Sequence, residues 1–190
     1  MVRQAFLDIE HMRTNNDCGP VAMLQLLRWA GLNITYEALL DIWGWTGSNT
    51  RDLPWDHHRV LKELGLKPLW LQFKNQIDLL LPITHMKVPV VQLIRIKGFK
   101  YHWQVVYGYN IKDKTWLVST GHGKAEVPAE TMDRVFFNKH FDTFLFGIRG
   151  IGYVVDVNSE HFNKLGKFWL AKQKLLSILA RTGRFMRILD

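Results

Sequence analysis

Asn16-Asp17-Cys18-Gly19-Pro20 is followed at once by an apolar run, Val21 to Trp29, with the length and spacing of a helix. The one cysteine of the chain therefore falls at a helix N-terminus. Unpaired backbone N–H groups at such an end carry partial positive charge, which favours thiolate over thiol in a side chain whose free pKa is about 8.5. Cys18 is thus a candidate nucleophile able to ionise near neutral pH. A lone cysteine is more commonly a small buried hydrophobe, so its placement implies chemistry only if a partner is found.

Composition narrows the classes. A chain of 190 residues with 47% hydrophobic content suits one domain with an appendage, and 13% aromatic residues, including eight Trp, argue against disorder. A single cysteine forbids an intrachain disulfide and every cysteine-rich zinc pattern, so a secreted disulfide scaffold is excluded and a reducing compartment is permitted. The eight histidines contain no His-Glu-x-x-His pairing. Neither a metal nor a cofactor is expected. The N-terminus, Met1 to Asp8, lacks the apolar core of a signal peptide, and no stretch approaches the roughly 20 apolar residues of a membrane span. The expectation is a soluble chain in the cytoplasm or in a larger assembly.

Moving outward from Cys18, Gly31-Leu32-Asn33 closes the first helix and Thr35 can cap a second, Tyr36 to Trp43. A Gly/Ser/Asn loop leads to a third helix, about Asp52 to Leu64, with Pro54 in its first turn and Gly65 at its end. Then the pattern changes. Pro68 to Phe73, Val88 to Ile96, His102 to Tyr109 and Thr115 to Val118 are rich in Val, Ile, Leu and aromatics, as strands are. Pro128 to Phe137 reads as a short helix, and Phe144 to Val155 as one or two strands. Helices first and strands afterwards predict an α+β domain with an antiparallel sheet.

The net charge of +8 is uneven. From Glu160 to Asp190 there are seven Lys or Arg against two acids, leaving 18 against 15 in the body. Phe162, Leu165, Trp169, Leu176 and Leu179 recur at helical spacing among these cations. The division expected is a domain over 1–157 and a basic amphipathic helix over 158–190. That helix packs on the domain with a solvated basic face, or serves as an arm for a protein partner, an anionic membrane or nucleic acid.

A partner for the thiol comes from Tyr101-His102-Trp103-Gln104-Val105-Val106, a histidine at the start of a strand. In papain-type chemistry the cysteine opens a helix and the histidine opens a strand folded against it, so the two need not be near in sequence. With a cysteine opening a helix and a histidine at the start of a strand, the chain resembles the papain-like bacteriocin-processing cysteine peptidases, the double-glycine leader peptidases. The landmarks are Asp17-Cys18-Gly19-Pro20 before an apolar helix ending at Gly31, the loop Gly47 to Thr50, Glu63-Leu64-Gly65-Leu66, the strand Val88 to Val91, and His102 to Val106. They span about His11 to Phe136. The resemblance implies a papain-like fold, a peptide or protein substrate, Cys18 as nucleophile and His102 as its base.

Two positions depart from the family pattern. Where the family has a glutamine that donates to the oxyanion stands Met12, which has no donor; His11, Thr14 and Asn15 are the nearby candidates to replace it. Losing one such donor typically costs about a hundred- to a thousandfold in rate. Where the family has the Asp of an Asp-Pro pair stands Ser119, which can orient an imidazole but cannot stabilise imidazolium as a carboxylate does. Asn110 and Asp113 are alternatives. Asp17 reads as an N-cap, Trp43, Trp45, Trp55, Trp70 and Trp103 as core, and His57, His58, His85, His140 and His161 as non-catalytic. Two functions compete: a cysteine peptidase, or a peptidase-like domain that has lost efficient catalysis and binds peptides or proteins.

Overall fold

The computed structural model describes residues 2–4, 8–14, 16–45, 52–73, 76–80, 83, 86–95, 101–136 and 150–155. The expected loop Gly47 to Thr50 and basic helix over 158–190 lie outside them, as do Asn15, His85, His140 and His161. A short strand, β1 (Val2–Gln4), is followed by three helices, α1 (Cys18–Trp29), α2 (Tyr36–Trp43) and α3 (Pro54–Glu63). Next come β2 (Pro68–Gln72), α4 (Gln76–Leu80), β3 (Val90–Arg95), β4 (Tyr101–Asn110), β5 (Thr115–Ser119), β6 (Lys124–Pro128), α5 (Ala129–Phe136) and β7 (Ile151–Val155).

The sheet runs β2-β7-β3-β4-β5-β6 with every described pairing antiparallel, and β1 adds to the far end of β4, where Gln4 meets Gly108. Its two faces hold separate cores. On one, Val21, Leu24, Leu27, Leu39, Trp43 and Leu61 of the first three helices meet Trp103, Val105 and Tyr153. On the other, Val90, Ile94, Val106, Trp116 and Val118 pack with Leu79 and Met132 of α4 and α5. Strands covered on both sides read as continuous apolar runs, and β7 is buried at every position. This is an α+β fold with N-terminal helices packed on an antiparallel sheet.

Local signals explain the helix ends. Thr35 Oγ1 accepts from Ala38 N at 3.2 Å to start α2, and Gly44 closes it at φ 65°. Pro54 opens α3, where Asp56 accepts from Leu53 N at 3.1 Å. Four elements differ from the sequence expectation. Helix α1 begins at Cys18 rather than Val21, because Pro20 is tolerated in a first turn. Strand β6 was not expected, since Lys-Ala-Glu-Val-Pro carries little apolar content; it pairs with β5 at the sheet edge, where polar residues and a terminal Pro are compatible with a strand. Helix α4 and strand β1 are too short to leave a periodic signature.

Candidate active site

Asp17 stands at the N-cap of α1, and its carbonyl accepts the first helical bond from Val21 N at 3.0 Å. Its side chain does not cap, contrary to expectation. The fully buried carboxylate instead accepts from Arg13 N at 2.9 Å, Thr14 N at 3.2 Å and the Tyr36 hydroxyl at 2.5 Å. It fastens the loop before Cys18 to α2. Burial and this bond push the Tyr36 phenol well above its usual range.

The carboxylate at the mouth of α1 comes from a different element. Asp52 Oδ2 accepts from Gly19 N at 3.2 Å and from Cys18 Sγ at 3.3 Å. Its other oxygen, Oδ1, lies 3.0 Å from His57 Nε2, and His57 Nδ1 lies 2.7 Å from the Tyr153 hydroxyl. The His57 ring is fully buried, with its centroid 4.1 Å from that of Trp103 and 4.8 Å from that of Trp43. Trp103 Nε1 donates to the Asp52 carbonyl at 3.1 Å, so this segment is held by main chain and side chain together. Sequence reasoning passed over Asp52 and read His57 as non-catalytic. The only signal was an acid just before a Pro-started helix with a histidine five residues on.

This neighbour reverses the expected electrostatics of the thiol. Burial first, and the Asp52 charge second, push the Cys18 pKa well above the usual thiol range, against the backbone N–H groups of Trp103 and Gly19 that favour thiolate. The helix N-terminus contributes, but a carboxylate already occupies it. In this arrangement the sulfur is a thiol at neutral pH.

His102 is the second residue of β4 and is 9% exposed. Its Nε2 lies 2.8 Å from the Thr120 carbonyl. A carbonyl only accepts, so Nε2 carries the proton and Nδ1 keeps the free lone pair. Burial holds the imidazole pKa below its usual value, opposed in part by this bond and by the Asp52 charge. Ser119 lies one residue before the carbonyl that orients the ring, and its buried Oγ has no hydrogen-bond partner. Within β4, His102 lies opposite Ile94 of one core, while Trp103 belongs to the other with Cys18. Among the described residues the thiol bonds to Asp52 and the imidazole to Thr120, with no direct hydrogen bond between Cys18 and His102.

Met12 packs on the turn that holds His102. Its N–H donates to Gly121 O at 2.7 Å, and a Cβ at Gly121 would come 2.6 Å from its side chain. His11 is exposed beside Gly123, and the exposed Thr14 accepts from Asn16 N through its hydroxyl at 3.3 Å. Asn110 and Asp113 bond to each other at 2.6 Å in an exposed turn. Trp43, Trp70 and Trp103 are core as expected, whereas Trp55 is 41% exposed, because it sits in the first turn of α3 on the side away from the sheet core. His57 and His58 are both buried, and His58 Nδ1 accepts from Trp70 Nε1 at 3.2 Å. No group of three or more His, Cys, Asp or Glu among the described residues could hold a metal ion, and no described helix is long and apolar enough to cross a membrane.

No protein-family model matches the sequence, and no curated protein sequence does. Solved structures do match. A double glycine motif protease from an AMS/PCAT transporter, in complex with the leader peptide, is 14% identical over 80% of this chain and 93% of its own, with a TM-score of 0.56. The peptidase domain of Streptococcus ComA, a bi-functional ABC transporter involved in quorum sensing, is 15% identical over 78% and 96%, with a TM-score of 0.57. A putative C39-like peptidase from Bacillus anthracis is 15% identical over 80% and 96%, with a TM-score of 0.57. At these identities the likeness is one of fold: the chain has the papain-like α+β fold of the double-glycine, C39-type peptidase domains.

Proposed function

We propose that the chain is a divergent double-glycine-type cysteine peptidase that cleaves an extended peptide, with Cys18 as nucleophile and His102 as base. The observation that carries this reading is the position of Cys18 as first residue of α1, with the backbone N–H of Trp103, the residue after His102, directed at its sulfur. His102 Nδ1, freed by the Nε2 bond to Thr120, would take the thiol proton as the sulfur attacks the scissile carbonyl carbon. The imidazolium would return that proton to the leaving amine as the C–N bond breaks, and water, losing its proton to the same imidazole, would then hydrolyse the thioester. A fold-neighbour bound to a leader peptide supports a peptide as substrate. On this reading 1–157 is the peptidase and 158–190 a basic arm toward a protein partner, with Ser119, His11, Thr14 and Asn15 auxiliary at most.

The test is cleavage of a synthetic leader-type peptide containing a Gly-Gly pair, followed by mass spectrometry. Hydrolysis is expected to disappear in Cys18→Ser and to fall by about a hundredfold or more in His102→Ala. Wild-type rates in either variant would overturn the assignment. The second reading, a peptide-binding domain with little catalysis, is favoured by the protonated thiol on Asp52; binding of the same peptide with no turnover would select it.

A further inference from the structure

Asp52 sits against the sulfur of Cys18 and the N–H of Gly19, at the start of α1. The proposal rests on the peptidase reading and concerns how its thiol is kept at rest. We propose that Asp52 is a latch: its carboxylate holds the Cys18 thiol and the Gly19 N–H together, closing the start of α1 to an incoming carbonyl until that carboxylate withdraws.

Three observations support it independently of charge. First, one oxygen of the carboxylate receives both Gly19 N at 3.2 Å and Cys18 Sγ at 3.3 Å, so the amide next to the nucleophile is already spoken for. Second, the approach is so close that a Cβ at Gly19 would overlap Asp52 Oδ1. Third, the carboxylate is held from behind by His57 and through it by Tyr153, and its own carbonyl by Trp103 Nε1. The Asp52 side chain is only 8% exposed, so solvent hardly competes for it. The titratable groups around the sulfur are Asp52, His57 of α3 and Tyr153 of β7 behind it, and His102 of β4, whose imidazole also feels the Asp52 charge. A carboxylate in contact with a thiol opposes its ionisation, which is the reverse of what a nucleophile needs.

The latch can be released from either side. Asp52→Asn removes the charge, and Gly19→Ala forces the carboxylate away with a methyl group that a helix accepts readily. Cys18, as the one cysteine, reports both through its rate of alkylation by iodoacetamide between pH 6 and pH 10. Each variant is expected to label at least roughly tenfold faster than wild type at pH 7, the change that one unit of thiol pKa produces. The double variant should be little faster than the better single one, because both break one contact. Labelling at the wild-type rate would overturn the proposal, and so would slower labelling, which would make Asp52 the thiol's base. Should near-UV circular dichroism show that Asp52→Asn has lost its packing, Gly19→Ala decides. Faster labelling without cleavage of the Gly-Gly peptide keeps the latch and overturns the peptidase reading; cleavage with unchanged labelling does the opposite.

Discussion

Cys18 receives opposite instructions from the groups packed around it. The amides of α1 draw charge onto the sulfur, while burial and Asp52 keep the proton on it, and the second pair prevails. Free cysteine at pH 7 is a few per cent thiolate. Iodoacetamide should therefore label wild-type Cys18 at least about tenfold more slowly than free cysteine at pH 7, with a rate that keeps rising past the ordinary thiol range near 8.5. Rapid labelling at pH 6 would show that the Asp52 contact does not persist in solution. Ser119→Ala addresses the position where the resembled family has an Asp: a buried hydroxyl without a partner costs stability, so its removal is expected to be neutral or stabilising by up to about 1 kcal/mol in urea unfolding. Cys18 and His102 were visible in the sequence because each stands at the start of an element with its own pattern. Asp52 was not, because its meaning depends on a residue just before α3 meeting the start of α1, 34 positions away.

At the scale of elements, patterns that a strand or helix generates by itself were readable. Helices α2 and α3 carry their caps, Thr35, Gly44 and Pro54, and β3, β4 and β5 carry apolar runs. Strand β6 was lost because an edge strand needs few apolar residues, and its fifth residue, Pro128, instead suggested the start of a helix. The one glycine of β7, Gly152, shows what sequence leaves open. A Cβ on Gly152 would come 2.7 Å from the Val91 carbonyl and 3.1 Å from the Phe73 ring. Gly152→Ala is expected to destabilise the protein by about 2–3 kcal/mol in denaturant unfolding, through overpacking between β3 and β7. An unchanged midpoint would mean that the two strands separate easily.

For the whole molecule, buried titratable groups bound the pH range of stability on both sides. His102 and His58 have lowered pKa values, chiefly from burial, so the unfolded chain binds their protons first. Their contribution is present above the ordinary histidine range near 6.5 and is lost as pH falls below it. Cys18, Tyr36 and Tyr153 are shifted upward, chiefly by burial, so their contribution holds at neutral pH and is lost as pH rises through and above about 8.5 to 10. Unfolding free energy measured by urea titration across pH 5 to 11 should therefore peak between these limits. A profile flat from pH 5 to 11 would contradict the burial described for these side chains.

Strand β7 follows all the other described strands in sequence yet lies inside the sheet, between β2 and β3, and supplies the tyrosine behind His57. On a ribosome, β2 and β3 therefore emerge long before the strand that joins them, leaving two unsatisfied edges during translation. The nascent chain should lean on chaperones in that interval, and the thiol should gain its restraint only with the final insertion.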